Sequence, residues 1–555
     1  MIIIIGVASC NKDDEPEEDL TYKDPVTGAR IAWDFSSSQR LAPVSRFSST
    51  KYTSYPRMIE VQNGDFLCVF EADHNIDIVR SGDKGESWTR PVRISSAANG
   101  MNRAVPEIIQ LGNGDIIVPY DLRPDGSGEN TILRSIALKI SKDNGLTWSE
   151  EQVVYTIDYV NDNGCAEPNI IELPGGELHL YFANQNDFPS THEQNITMFR
   201  SLDNGETWID KKVVSYSETS RDGMPVAIYQ DDTDEIIMVI EDNHQHNFKP
   251  AIIRTGNYWG NAPVGRTSDR VYALDHDQNS SAYQGAPYIR KMPAGNIALS
   301  YQGTEDRGGD ELSNSTMYVE VGDKTGRAFT HKTEPFVVPL EKNALWNSLS
   351  VMDGKVWALT ATTAYSDSKR EIWTIEGYEI DDYIIPYGGI EQTHARYPFF
   401  VGHKSNTNVG VDVAYDDEYL YLKALVQDEA VFDSDGVVFS IDPKNISSTT
   451  PAKNIFSFTV RAGGELVSQE GFNGSWEKMN LELQNFSVNK TETGYTIEIP
   501  VPWKNLGGKP AADTRIGFTI SLIEYTGENS LAYIEHMVFS NGHQPHTWGS
   551  MRIIP

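Results

Sequence analysis

Apolar and polar residues alternate with period two through most of this chain, in short runs separated by Gly, Asn and Asp. That period belongs to pleated strands, whose successive side chains point to opposite faces. Five stretches share a longer scheme: Tyr55-Pro56 through Glu71, Val105-Pro106 through Asp121, Glu167-Pro168 through Ala183, Met224-Pro225 through Glu241, and Ala286-Pro287 through Gln302. Each begins x-Pro, continues as an alternating run, turns, and returns as a second apolar run. Gly64, Gly114, Gly176 and Gly295 mark four of the turns, and Asp231-Asp232-Thr233-Asp234 makes the other. A degenerate sixth copy runs from Trp346-Asn347 to Thr362 and turns at Asp353-Gly354. Paired period-two runs around such turns are β-hairpins. Pro is tolerated at the first residue of a strand, where its missing N–H need not join the ladder. Six such hairpins predict a six-bladed β-propeller.

A shorter repeat overlies this one. Ser81–Trp88 (SGDKGESW), Ser141–Trp148 (SKDNGLTW) and Ser201–Trp208 (SLDNGETW) share Ser-x-Asp-x-Gly-x-Ser/Thr-Trp at intervals of about sixty residues, the mark of a repeat architecture. Asp suits a tight turn by hydrogen-bonding nearby backbone, and Gly accepts positive φ. This motif is the Asp box and resembles the repeat of sialidase-like β-propellers. The resemblance implies a structural role, with the turns between outer strands and away from the axial mouth.

The propeller pattern ends near Asp381–Ala395, and a different alternation follows. Its landmarks are DDEYLYLKALVQD (416–428), DGVVFSIDP (435–443), EIPVPWKNLG (498–507) and IGFTISLIEY (516–525). Alternating strands with acidic turns predict an antiparallel β-sandwich. The order of these segments resembles a family 9 carbohydrate-binding module. Such modules hold a sugar between aromatic faces, and Trp476 and Trp548 are the candidate platforms. The expected fold is therefore all-β, a six-bladed propeller over 29–385 followed by a sandwich over 386–555.

Composition narrows the partners. The formal net charge of −33 disfavours nucleic acid, which requires clustered Lys and Arg. It repels anionic substrates at long range unless a local basic pocket intervenes. Neutral polysaccharide is the least constrained partner, and the chain is expected to act as a monomer. No apolar run is long enough to span a bilayer. Met1–Val7 is apolar, and Val7-Ala8-Ser9-Cys10 resembles a bacterial lipobox with Cys10 as the lipidated residue. The short apolar region and missing basic flank depart from a complete signal peptide. The acidic stretch after Cys10 reads as a disordered tether over 10–28, with 1–9 as the signal segment. It resembles the surface-export signal of lipoproteins in Bacteroidota-type bacteria, which implies an outer-membrane, cell-surface or periplasmic location. Cys68 and Cys165 sit in strand-like contexts as buried thiols, with no metal-ligand spacing. No cofactor and no metal is expected.

In a propeller the inner strands converge on one mouth, so chemistry is sought at their ends. Residues around each x-Pro and at the end of each second strand give Arg57, Glu71, Glu107, Asp121, Glu167, Asn169, Glu241 and Gln302. A buried unpaired carboxylate is costly, so acids that interrupt apolar repeat positions require a reason. Paired carboxylates are what glycoside hydrolysis uses, one as acid and one as nucleophile or base. AEPNIIELPGGELHLYFANQND (166–187) and RDGMPVAIYQDDTDEIIMVIED (221–242) resemble the family 93 exo-arabinanases, six-bladed propellers acting on linear α-1,5-arabinan. The resemblance implies Glu167, in Glu-Pro, as acid/base and Glu241, after Gly-Met-Pro-Val, as nucleophile. Arg57, Glu71, Asp121, Asn169, Tyr288 and Gln302 are the expected substrate contacts. Burial or its negative partner is expected to raise the pKa of Glu167. His244 and His246 are candidates to line the pocket. Cys165-Ala166 ahead of Glu167 departs from the family, which tends to have an aromatic there.

Two alternatives stand. A family 33-type sialidase would use Arg57 with Arg254 and Arg290 as an arginine triad, although Val105 stands where its acid is expected. A non-catalytic surface glycan-binding protein is the other.

Overall fold

The computed structural model describes residues 29–42 and 52–553, apart from 127–132, 159–163, 245–246, 275–280, 389–398, 402–406, 480–484 and isolated positions or pairs between them. Cys10, its tether and His246 lie outside the described residues. No helix among them is long and apolar enough to cross a membrane.

Six antiparallel sheets carry the predicted hairpins as their two innermost strands. Blade one is Thr53–Glu60, Phe66–Ala72, Asn75–Ser81 and Val92–Ser95 from the axis outward. In blade two the innermost strand is broken into Met101–Ala104 and Ile109–Gln110 around Val105-Pro106, and Ile116–Pro124, Ser135–Ser141 and Gln152–Thr156 follow. Blade three begins Cys165–Glu172 and Leu178–Asn184; blade four, Asp222–Gln230 and Glu235–Asp242; blade five, Gln284–Lys291 and Ile297–Gly303. Blade six contains Ala344–Met352, Lys355–Thr362 and Glu371–Ile380, and its outermost strand is Arg30–Ala42 from the other end of the propeller sequence. Pairing the two ends in one sheet closes the ring.

The apolar core lies between blades. Leu67, Val69 and Ile78 of blade one pack with Ile116, Val118 and Tyr120 of blade two, and comparable clusters join the other neighbours. The Asp boxes sit at the outer hairpins, after the third strands. Ser81 Oγ accepts the amide of Gly85 at 2.8 Å, and Asp83 accepts the Ser87 amide at 2.9 Å and its hydroxyl at 2.5 Å. These bonds hold the Asp83 carboxyl down at about 2. Trp88, Trp148 and Trp208 each pack into the cluster shared with the preceding blade. The boxes are thus inter-blade fasteners.

The C-terminal domain is a sandwich. Five strands, among them Asn408–Tyr415, Tyr419–Gln427 and Gly494–Pro502, face an eight-stranded sheet that contains Gly436–Asp442, Phe456–Arg461 and Arg515–Tyr525. Val411, Leu422, Phe439, Phe458, Ile497 and Ile520 fill the space between. Tyr383–Ile385 pairs in parallel with Gly549–Ile553, so the sandwich begins three residues ahead of the boundary expected at 386. Trp548 is fully buried, and its indole N–H donates to the Asn541 carbonyl at 2.8 Å. It serves the core and presents no open face, contrary to expectation. Trp476 lies parallel to it at 6.5 Å between ring centroids and stays half-buried, which leaves Trp476 as the available platform.

Candidate active site

The residue before each inner-strand Pro, or before Asn347 in blade six, has positive φ: Tyr55, Val105, Glu167, Met224, Ala286 and Trp346 lie between 46° and 64°. Five of the six inner hairpins shift register there, and in blade two the strand breaks. Left-handed backbone is uncommon for residues with a Cβ and costs of order 1 kcal/mol or more each. Because it recurs in all six blades, it is an architectural device that turns these side chains onto the axis. Tyr55, Val105, Met224 and Ala286 cluster there against Trp346 and form an apolar floor. Glu167 is the one charged member of this ring.

The amides of these residues are capped from the preceding blade. Glu71 Oε2 accepts Val105 N–H at 3.4 Å, Asp121 Oδ1 accepts Glu167 N–H at 2.9 Å, Glu241 Oε2 accepts Ala286 N–H at 2.7 Å, and Gln302 Oε1 accepts Trp346 N–H at 2.8 Å. All four caps occupy the same register at the end of a second strand, opposite Ser54, Ala104, Gly223 and Gly285. The corresponding residue of blade three is Ala183, opposite Ala166. The side chain of Glu167 itself substitutes, accepting Met224 N–H at 2.9 Å.

Solvent access separates these groups. Glu71 is 5 % exposed and Asp121 and Gln302 are 0 % exposed, whereas Glu167 and Glu241 are only partly buried. The two are electrostatically coupled. Glu241 is pushed up to about 7, first by burial and then by the charge of Glu167. Ala286 N–H, Arg221 and Tyr283 pull it the other way. Glu241 is therefore a raised carboxyl beside Glu167. Asp121 is also pushed up to about 7 by burial, against an ion pair with Arg123 at 2.6 Å.

Arg57, Asn169 and Tyr288 lie below this floor and do not line the mouth. Each follows its ring residue by two positions, which in a strand is about 6.5 Å deeper along the axis. They meet Glu107: Asn169 Nδ2 and Tyr288 OH donate to its Oε2 at 3.1 and 2.9 Å, with Arg57 Nε at 3.7 Å. All four are at least 95 % buried, so they plug the axis. Arg290 approaches the same Glu107 at 3.8 Å, whereas Arg254 pairs with Glu235 at 3.5 Å toward the opposite end of its strand. The arginine trio does not assemble at the mouth. His244 is exposed and bonds Asp242 through its backbone amide.

Sequence reasoning missed Tyr52, Arg221 and Tyr283. Tyr52 OH donates to Glu71 at 2.8 Å. Tyr283 OH donates to Glu241 at 3.4 Å and accepts from Gln302 Nε2 at 3.0 Å. Arg221 donates to Gln194 at 3.1 Å, and Gln194 Nε2 donates to the Asp222 carbonyl at 2.8 Å. All three stand three positions ahead of their ring residue, and that offset is the signal in the sequence. Glycine has a specific role beside the pair: a Cβ at Gly285 would lie 2.6 Å from Glu241 Oε2. A cavity of about 1240 Å³ opens at the other end of the axis among the hairpin turns, where Gln62, Gln110, Glu172 and Lys291 line it. It contains neither carboxylate.

Residues 68–224 match the family model described as BNR repeat-like domain, and residues 396–554 match the Carbohydrate family 9 binding domain-like model. No curated protein matches the chain. Among solved structures, a Dyadobacter fermentans protein of unknown function is 14 % identical, with 64 % of this chain and 100 % of that one covered and a TM-score of 0.47. A Penicillium chrysogenum α-L-arabinanase complexed with arabinobiose is 18 % identical over 62 % of this chain and 98 % of that one, with a TM-score of 0.44. The NanB sialidase of Streptococcus pneumoniae is 11 % identical over 60 % and 69 %, with a TM-score of 0.45. The fold assignment rests on the sheet order itself: a BNR-repeat propeller followed by a family 9-like carbohydrate-binding domain.

Proposed function

We propose that this BNR-repeat propeller with its family 9-like domain is an exo-acting, retaining glycoside hydrolase that degrades linear α-1,5-L-arabinan, with Glu167 as acid/base and Glu241 as nucleophile. One observation carries the reading: among the carboxylates and the amide that cap or form the axial ring, Glu167 and Glu241 are the two most open to solvent, and the charge of Glu167 acts on Glu241. Retention needs a proton on the acid/base, here Glu167, and an ionised nucleophile, here Glu241. Glu167 gives its proton to the leaving glycosidic oxygen as the C–O bond breaks and a Glu241 oxygen bonds the anomeric carbon. Water then attacks that carbon, Glu167 takes its proton, and the ester bond to Glu241 breaks, restoring the pair. Two donors, Ala286 N–H and Tyr283 OH, already favour the ionised form of Glu241. The arabinan preference and the exo mode rest on the resemblance of the Glu-Pro and Gly-Met-Pro-Val segments. The protein would work as a monomer at the cell surface, held through Cys10, with the sandwich gripping polysaccharide at Trp476.

A non-catalytic glycan-binding propeller is favoured by a separate observation: Glu241 caps Ala286 just as Glu71 and Asp121 cap their neighbours, so its carboxylate has a structural use without catalysis. Glu241→Gln, which keeps an acceptor for that amide, separates the readings. Turnover of arabinan by the native chain that vanishes in the variant supports the enzyme; equal activity of the two refutes the role given to Glu241.

A further inference from the structure

The inner strands repeat below the axial ring as they do at it. The residue four positions after each ring residue lies on the same face of its strand, about 13 Å deeper along the axis. These residues are Ile59, Ile109, Ile171 and Ile228 in blades one to four, Arg290 in blade five and Ser350 in blade six. All six line the cavity of about 1240 Å³ at the far end from the carboxylate pair. Four blades thus give this funnel an apolar wall, and blade five interrupts the wall with a guanidinium.

Arg290 is held in place but not neutralised. Its Cζ lies 4.3 Å from the centroid of the Tyr288 ring, and it donates to the Ile289 carbonyl at 3.0 Å and to the Tyr288 hydroxyl. Its Nε–H donates to no acceptor among the described residues. Glu107 lies 3.8 Å away and is shared with Arg57 at 3.7 Å. Among the described residues no other acid pairs with either arginine. Burial pushes the Tyr288 phenol up, so it adds no charge. The plug therefore carries two guanidiniums against one carboxylate. Arg57 and Glu107 are buried, whereas the Arg290 side chain is 23 % exposed where it lines the funnel. The acids nearer the rim are already engaged: Glu60 with Lys84 at 2.7 Å, Asp231 with Lys291, and Glu172 with the Gly112 amide at 2.8 Å.

Excess positive charge in a dry site is costly unless an anion reaches it. A guanidinium matches a carboxylate, because its planar N–H donors can engage both oxygens. The isoleucines around that single cation fit an apolar chain behind the anion, the usual composition of a small-molecule site. From Ile59 to the turn at Gly64 is five residues, at most about 17 Å, which accommodates an extended chain of about eight to twelve carbons. We propose that the funnel binds a free linear monocarboxylate, with its head group on Arg290 and its alkyl chain along Ile59, Ile109, Ile171 and Ile228. The site is separate from the carboxylate pair, and the inference does not depend on the chemistry at the mouth.

Calorimetric titration of the full chain with hexanoate, octanoate and decanoate tests the site. Saturable binding is expected, tightening about fourfold with each added methylene as apolar surface is buried. Octanol, which lacks the anion, should bind about tenfold more weakly than octanoate. Arg290→Gln should remove that difference, and Ile59→Asn should weaken both ligands. No saturable binding of decanoate, affinity independent of chain length, or equal affinity for octanol and octanoate would overturn the proposal. So would binding that survives both variants unchanged, which would place the ligand elsewhere. Inorganic phosphate binding as tightly as decanoate would assign the funnel to a simple anion, and a native dimer dissociated by Ile59→Asn would assign it to a second copy; either overturns the proposal. If Arg290→Gln does not fold, the chain-length series and the octanol comparison on the native chain decide.

Discussion

The carboxylate of Glu167 accepts the backbone N–H of Met224 at 2.9 Å and so performs in blade three the capping that a second-strand side chain performs in four other blades. The residue in the capping register is Ala183. Losing the acid there keeps a further negative charge away from Glu167, and the left-handed backbone of Glu167 turns its own side chain toward blade four. A structural repeat with one member altered thus yields a carboxylate that is both held and exposed to solvent.

Asp121 fixes that arrangement from behind, because it accepts Glu167 N–H and pairs with Arg123. Asp121→Ala removes the acceptor and lets the Glu167 backbone relax. Misplacing a reacting group by about 1 Å costs roughly a hundredfold in rate. The expected result is a kcat reduced about ten- to a hundredfold on arabinan with KM little changed; an unaltered kcat contradicts the positioning role.

Glu241 links the site to stability. Its folded value of about 7 lies above the ordinary 4.5, so the folded state binds the proton more tightly than the unfolded state. Stability from this group is therefore fully present below about 4.5 and declines as pH rises toward 7. Glu241→Gln removes the titration. Denaturant unfolding should show the variant about 1–2 kcal/mol more stable than the native chain at pH 8, with the gap closing by pH 5. Parallel curves at both pH values contradict the shift.

Gly285 is the position where added volume acts most directly on the pair. The Cβ of Gly285→Ala would meet the Glu241 carboxylate and the Tyr283 hydroxyl. A tenfold or greater fall in kcat, about 1.4 kcal/mol in barrier, is expected with the circular dichroism of the fold retained. Full activity would show that the carboxylate has room to move without consequence.

The two sandwich tryptophans should separate cleanly. Trp476→Ala is expected to weaken retention on insoluble polysaccharide while turnover of a soluble oligosaccharide stays constant. Trp548→Ala removes a fully buried ring and should cost about 3–5 kcal/mol of stability. Retention unchanged by Trp476→Ala would place sugar binding elsewhere.

Much of this was legible in the chain, for physical reasons. Period-two runs gave the six inner hairpins and x-Pro starts marked five of them, since strands must alternate and Pro cannot pair at its N–H. Glu167 and Glu241 emerged from the same alignment. Depth along the axis was not legible: Arg57, Asn169 and Tyr288 stand two positions from the ring, and one strand period moved them from the mouth into the plug around Glu107. Nor could the pattern tell a platform from core for Trp548, because a buried indole needs only one acceptor, here the carbonyl of Asn541. Arg30–Ala42 gave no sign of closing blade six, because its partner Glu371–Ile380 lies over three hundred residues away.

The central claim is that Glu167 and Glu241 cleave an arabinan with retention. Incubating the full chain with linear α-1,5-arabinan and following the products by NMR tests it most directly. The account predicts short arabinose oligomers, arabinobiose foremost, whose new reducing end first appears in the configuration of the substrate. Release with inverted configuration, release of sialic acid from sialyl-lactose instead, or no product from either would contradict it.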